Sequence, residues 1–139
     1  MNTSKGNRLS TRGVVLVSVF TCALPTFALA EDLSEALRLW KFTYQSEIAA
    51  YGTQYMSQSL LLQAGDRLES AAGQTMVTST KMRVCIEATN QLARYYRESA
   101  KPKPEQKRGT IRAHYEVARA GCMRVLGADP EEYPLGWPN

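Results

Sequence analysis

Residues 82–125 read MRVCIEATNQLARYYRESAKPKPEQKRGTIRAHYEVARAGCMRV. Met82, Cys85, Thr89, Leu92 and Tyr96 advance by alternating steps of three and four, and so do Ile111, Tyr115, Ala118, Cys122 and Val125. That spacing lines one face of a helix. Between the two stripes stands Lys101-Pro102-Lys103-Pro104. It cannot continue a helix, because proline has no amide donor and restricts the residue before it. The stretch therefore predicts a helical hairpin. In an antiparallel hairpin, residues at the same height have sequence numbers with a constant total. Cys85 with Cys122, Met82 with Val125, Thr89 with Ala118, Leu92 with Tyr115 and Tyr96 with Ile111 all share one total. Stripes and cysteines agree on a single register, and this consistency between independent features predicts an intrachain disulfide at one rung. Gly109, unfavourable inside a helix, would delay the second hairpin helix to about Thr110 without losing a rung.

Upstream, Leu33, Leu37, Trp40, Tyr44, Ile48, Tyr51, Tyr55 and Leu62 follow the same spacing apart from one double step. Their phase survives Gly52 and predicts one helix over residues 32–62, about 45 Å long at ~1.5 Å per residue. Glu31, Asp32 and Glu35 fall in its first turn, where acids oppose the positive end of the helix dipole. Gly65-Asp66 is the expected break, residues 66–72 a short helical piece and residues 73–80 a Ser/Thr-rich loop. Gly127 is expected to end the last helix. The tail, residues 129–139 with Pro130, Pro134 and Pro138, is expected to be extended, with Tyr133, Leu135 and Trp137 pinning it across the helices. The fold class is all-α: a small bundle with a long N-terminal helix packed on an antiparallel hairpin, one disulfide and an extended C-terminal tail.

The N-terminus reads as an address. Lys5, Arg8 and Arg12 are followed by the apolar run 13–24, too short to cross a bilayer as a stable helix, and Pro25 ends it. Ala28-Leu29-Ala30 places small side chains where a signal peptidase needs them, and polar Glu31 follows. The chain thus divides into a cleaved leader (1–30), a helical domain (31–128) and a Pro-rich tail (129–139). A lipid anchor on Cys22 is the weaker alternative, since Val19-Phe20-Thr21 lacks the small residue such a site needs. Removing the leader takes Lys5, Arg8 and Arg12 from a net charge of +4. The remaining 14 basic and 13 acidic residues make a poor nucleic-acid binder. The two remaining cysteines, in an oxidising space and without a Cys-x-x-Cys pattern, read as one structural disulfide.

Catalytic, metal and cofactor signatures are absent from the sequence, and no enzyme activity is expected. His114 with Met56, Met76, Met82 or Met123 is the only conceivable haem pairing, and it lacks an attachment motif. Two cysteines committed to each other leave too few ligands for structural zinc. Two surfaces remain. The aromatic face Trp40, Tyr44, Tyr51 and Tyr55 is either an ordinary core stripe or a half-open interface, since buried tyrosines need hydroxyl partners and Tyr and Trp suit surfaces that meet water or a partner. Residues 81–124 carry eleven cations against four acids. They form either a solvated face or a binding tip centred on Lys101, Lys103, Lys107 and Arg108. The functional expectation is an exported helical protein, periplasmic or secreted, acting as a non-enzymatic binding module of the cell envelope. Its partner is a protein or an anionic envelope surface, not nucleic acid. The alternative is a carrier of a small apolar ligand or haem within the bundle.

The intact mass of the exported protein is expected to match a chain beginning at Glu31. A mature form that begins at Cys22 and carries lipid mass would overturn this cleavage site.

Overall fold

The structure, a computed structural model, describes residues 26–136, without the side chains of residues 26–29 and Pro104. Lys5, Arg8, Arg12, the apolar run, Cys22, Pro25, Trp137 and Pro138 lie outside the described residues. Those described are all-helical: α1 Thr26–Ala50, α2 Gln58–Gln74, α3 Arg83–Ser99 and α4 Arg108–Leu126, with 3-10 turns at Thr53–Tyr55 and Lys103–Glu105. No helix among them is long and apolar enough to cross a membrane.

The hairpin stripes are the buried faces of α3 and α4. Cys85, Thr89, Leu92, Tyr96, Ile111, Tyr115, Ala118 and Cys122 are all buried, while Met82 and Val125 are half-buried. Cys85 and Cys122 are bridged with their Cα atoms 4.6 Å apart. At the other end of the pair, Glu98 Oε1 near the end of α3 accepts from the Lys107 amide just before α4, at 2.8 Å. One link near the start of α3 and the end of α4, and one near the end of α3 and the start of α4, make the two helices antiparallel. Their close approach needs Gly121, where an added Cβ would stand 2.9 Å from Val84 Cγ2. Gly109 does not delay α4, which begins at Arg108. Gly127 ends it with φ 63°, a left-handed conformation in which glycine carries no Cβ penalty.

The single helix expected over residues 32–62 is two helices. After Ala50 the Tyr51 and Gly52 amides bond three residues back, to Ile48 and Ala49, which tightens the chain out of the α-helix. Met56 is extended, and the Ser57 hydroxyl accepts from the Leu60 amide at 3.3 Å, so Ser57 caps α2. Hydrophobic phase alone carries no information about this cap. Because α1 runs from Thr26, Glu31, Asp32 and Glu35 do not fall in its first turn. Gly65-Asp66, expected as a break, sits inside α2. There Gly65 lets α2 approach α3: an added Cβ would stand 2.9 Å from Arg97 Cγ and 3.2 Å from the Ala93 carbonyl oxygen. α3 packs against each of the other three helices.

The buried face of α1 is also rotated from the predicted stripe. Asp32, Ala36, Leu39, Trp40, Thr43, Glu47 and Ala50 face inward, whereas Leu33, Ile48, Tyr51, Tyr55 and Leu62 are exposed. Small and polar residues make this contact because the Asp32, Thr43 and Glu47 side chains are each matched by a partner. Thr43 and Thr89 hydroxyls lie 2.7 Å apart, so one donates to the other, and the one that accepts is free to donate to the carbonyl four residues back on its own helix, Leu39 for Thr43 or Cys85 for Thr89. Tyr96 donates to the Ser46 carbonyl at 2.7 Å, and burial pushes its hydroxyl up to about 12. Asp32 ties α1 to the α2–α3 loop, accepting from the Thr78 amide at 3.1 Å and the Ser79 amide at 2.6 Å.

The tail is not simply extended. The Glu132 and Tyr133 amides bond back to the Asp129 carbonyl, forming a turn before the chain crosses α1. Tyr133 is buried, packed edge-on against Tyr44 at 5.0 Å and Trp40 at 5.8 Å between ring centroids, while Leu135 is exposed. Gly136 lies against the α1 backbone, where a Cβ would come within 3.1 Å of Ile48.

Reducing Cys85–Cys122, which closes 37 residues, is expected to lower stability by up to about 4 kcal/mol on the chain-entropy model, with most helix content retained. Urea unfolding and circular dichroism with and without reductant measure both effects. Free thiols or an interchain bridge in a non-reducing peptide map would falsify the pairing. A second expectation concerns pH. The Thr78 and Ser79 amides hold the Asp32 carboxyl below the ordinary aspartate range. The stabilisation is therefore fully present above the unfolded pKa, about 4, and is lost as pH falls through the folded value. Asp32→Asn is expected to make the acid limb of a stability–pH profile less steep, and an unchanged limb would show that this cap contributes nothing.

Candidate interaction surface

The aromatic face read from the sequence splits into two groups. Trp40 is fully buried and Tyr44 half-buried; together with Tyr133 they form a box under the tail. Trp40 is therefore core, and the exposed half of the face is Tyr51 and Tyr55, 58% and 84% accessible. These two leave the buried face because α1 ends at Ala50 and the 3-10 turn re-aims the chain.

The basic tip is organised around one acid. Glu98, buried at the end of α3, accepts from Lys101 Nζ at 2.8 Å through Oε2 and from the Lys107 amide at 2.8 Å through Oε1. The Lys101 contact, followed by the Lys107 amide, holds the Glu98 carboxyl below its ordinary range. Lys101 is thus partly spent on structure. Gln106 reinforces the turn by donating to the Lys101 carbonyl at 2.7 Å. Lys103 and Lys107 are exposed, and Arg108, the first residue of α4, makes no ion pair among the described residues.

The two surfaces meet at one end of the bundle. A cleft of about 320 Å³ is lined by Ala50, Tyr51, Thr53, Gln54, Tyr95, Arg108 and Arg112. Tyr51 from the end of α1 and Arg108 from the start of α4 share its walls, although the sequence separates them by more than fifty residues. Arg112 is engaged by Glu116 at 2.8 Å. A guanidinium is suited to bidentate recognition of carboxylate, and tyrosine supplies rigid, amphipathic contact area at low entropic cost. Trp40, Tyr44 and Tyr133 do not belong to this site. Sequence reading overlooked Gln54, Tyr95 and Arg112 as site residues. Tyr95 sits one position off the buried stripe of α3, and nothing in the spacing distinguishes it from a solvated neighbour.

His114 is exposed on α4, in a groove with Val84, Glu87, Gln91, Val117, Ala118, Gly121 and Arg124. No methionine lines that groove, so a His–Met haem pair has no support there. The described residues contain no group of three His, Cys, Asp or Glu side chains placed to hold a metal ion. Neither a protein-family model, nor a curated protein, nor a solved structure matches the chain.

Proposed function

We propose that the chain is an exported, non-enzymatic binding module that engages an acidic protein partner with the end of the bundle carrying Tyr51, Tyr55, Lys103, Lys107 and Arg108. The observation that carries this reading is the shared cleft, which places the exposed Tyr51 beside Arg108, a guanidinium that makes no ion pair among the described residues. Tyr and Arg are the residue types that most often dominate interface energetics, and cationic rims steer acidic partners. The residues exposed here are polar or aromatic rather than aliphatic, which favours a protein surface over insertion into a membrane.

Export is supported by the leader pattern and by the bridged cysteines of the folded chain. A cut after Ala30 fits the helix it falls in. It removes the first residues of α1 and leaves Glu31, Asp32 and Glu35 at the new helix start, where acids oppose the dipole, while Asp32 still caps residues 78–79. Periplasm and secretion are both consistent with this reading.

The mature chain, tagged and used to capture partners from envelope extract, tests the proposal. Lys103→Glu, Lys107→Glu and Arg108→Glu together are expected to weaken the captured interaction at least tenfold. Raising salt is expected to weaken the unmodified complex in the same direction. Tyr55→Ala is expected to weaken it with little change in thermal stability, since this side chain is almost fully exposed. Binding that survives both charge reversal and salt rejects the acidic partner. Equal binding to protein-free anionic vesicles assigns the surface to a membrane instead.

A further inference from the structure

α1 and α2 both lie against α3 but meet each other over little of their length. Each is fixed from below. The Tyr96 hydroxyl of α3 donates to the Ser46 carbonyl of α1 at 2.7 Å, and α2 comes down on α3 at Gly65. The short side chains of Ala49, Ala64 and Ala71 do not close the gap that remains. A trench therefore runs between the two helices as three cavities of about 240, 450 and 290 Å³. Phe42, a large apolar side chain left 37% exposed, lines all three. Along α1 the trench extends from Arg38 to Ala49, a rise of about 16 Å.

The charges along the trench are unevenly engaged. Arg38, at one end, is paired with Glu35 at 2.8 Å, and Asp66, in the middle cavity, is taken by Arg97 at 2.7 Å. Arg67 lines the middle cavity and the 290 Å³ cavity, and it makes no ion pair among the described residues. In the 290 Å³ cavity it is the one charged side chain of the lining, beside Phe42, Ala49, Met56 and Ala64. The hydroxyls there serve helix carbonyls: Ser46 donates to Phe42 at 3.1 Å and Tyr96 to Ser46. At the far end Gln74 likewise donates to Ser70, and Thr75 to the Ala71 carbonyl. An apolar slot with one uncommitted charge is the ordinary composition of a small-molecule site.

An occupant of matching chemistry is apolar along its length and carries one negative charge at one end. The 290 Å³ cavity has room for roughly ten groups of ~30 Å³ each. A single turn of a partner helix, ~10 Å across and 5.4 Å long, already displaces roughly 400 Å³. We infer that the trench between α1 and α2 binds a free medium-chain fatty acid, with its carboxylate on the Arg67 guanidinium and its chain between Phe42, Ala49, Met56 and Ala64. One cavity takes one chain, which commits the site to a single-chain acid rather than a two-chain membrane lipid. The site is separate from the Tyr51–Arg108 cleft and stands independently of the function proposed for that cleft.

The test is calorimetric titration of the exported protein, freed of bound lipid on a hydrophobic exchange resin, with octanoate, decanoate and dodecanoate below their micelle concentrations. Affinity is expected to rise by up to about fourfold per methylene from octanoate to decanoate. The gain is expected to flatten at dodecanoate, where the chain outgrows the cavity. Arg67→Gln is expected to weaken decanoate at least tenfold and to leave decanol, which has the chain without the charge, unchanged. Adsorption on an apolar surface would show neither the plateau nor this split between acid and alcohol. Ala49→Phe places a ring in the slot and is expected to abolish binding of both. If that variant disturbs α1, methyl-labelled unmodified protein supplies a second readout: decanoate should move the Met56 signal and leave the buried Met123 signal in place. Affinity independent of chain length, decanoate binding unchanged by Arg67→Gln, or an unmoved Met56 signal overturns the inference. Tighter binding of dihexanoyl phosphatidylglycerol than of decanoate would give the trench to a two-chain lipid and overturn the free acid.

Discussion

Glu47 on α1 and Arg119 on α4 form a buried ion pair at 2.7 Å, and the Tyr115 hydroxyl and the tail complete its hydrogen bonds. Two charges taken out of water cost several kcal/mol each, and their attraction offsets this only when the remaining polar atoms are also satisfied. Here three elements of the chain contribute at one point: α1 supplies the acid, α4 the base and the phenol, and the tail one amide and one carbonyl. Burial beside this acid also pushes the Tyr115 hydroxyl well above its ordinary range, so the phenol remains a donor. Removing one partner strands the other, at a cost of about 3–5 kcal/mol. The position of α1 relative to the disulfide-linked hairpin, and the path of the tail, both depend on this cluster.

The remaining architecture is set by how closely the helices approach. α3 is the central element, and glycine governs two of its contacts, Gly65 from α2 and Gly121 from α4. The hydrophobic core follows from these approaches: Leu61, Leu68 and Ala72 of α2 are buried, as are Ala88, Leu92 and Ala93 of α3. The α2–α3 edge is finished by Arg97, which bonds Asp66 at 2.7 Å and also Glu69. Those pairs are exposed and contribute little beyond holding the Arg97 stem across Gly65.

A division of labour among the tyrosines follows. Tyr96, Tyr115 and Tyr133 are buried, and the first two direct their hydroxyls to acceptors on α1. Tyr51 and Tyr55 direct their hydroxyls to no such acceptor among the described residues, and Tyr51 lines the cleft that Arg108 and Arg112 wall where α4 begins. The same residue type therefore locks the interior and furnishes the surface proposed for binding, and only burial separates the two roles.

Local signals along the chain specify the all-helical class, the α3–α4 pairing, the Cys85–Cys122 bridge and the stop at Gly127. Each of these rests on local periodicity, on proline or glycine chemistry, or on two stripes sharing one register, and such signals lie along the chain. They also locate the Lys101–Arg108 tip, because proline marks the turn and the cations are contiguous around it. Packing between elements, by contrast, sets where α1 stops at Ala50, makes Gly65 join helices rather than end one, and turns Asp32, Thr43 and Glu47 inward. A polar residue on a buried face cannot be read from hydrophobic spacing, since its partner, Ser79, Thr89 or Arg119, is more than forty residues away. The same holds for the separation of Trp40 from Tyr51 and for the meeting of Tyr51 with Arg108: which tyrosine is core and which is surface depends on long-range contacts that no local pattern encodes.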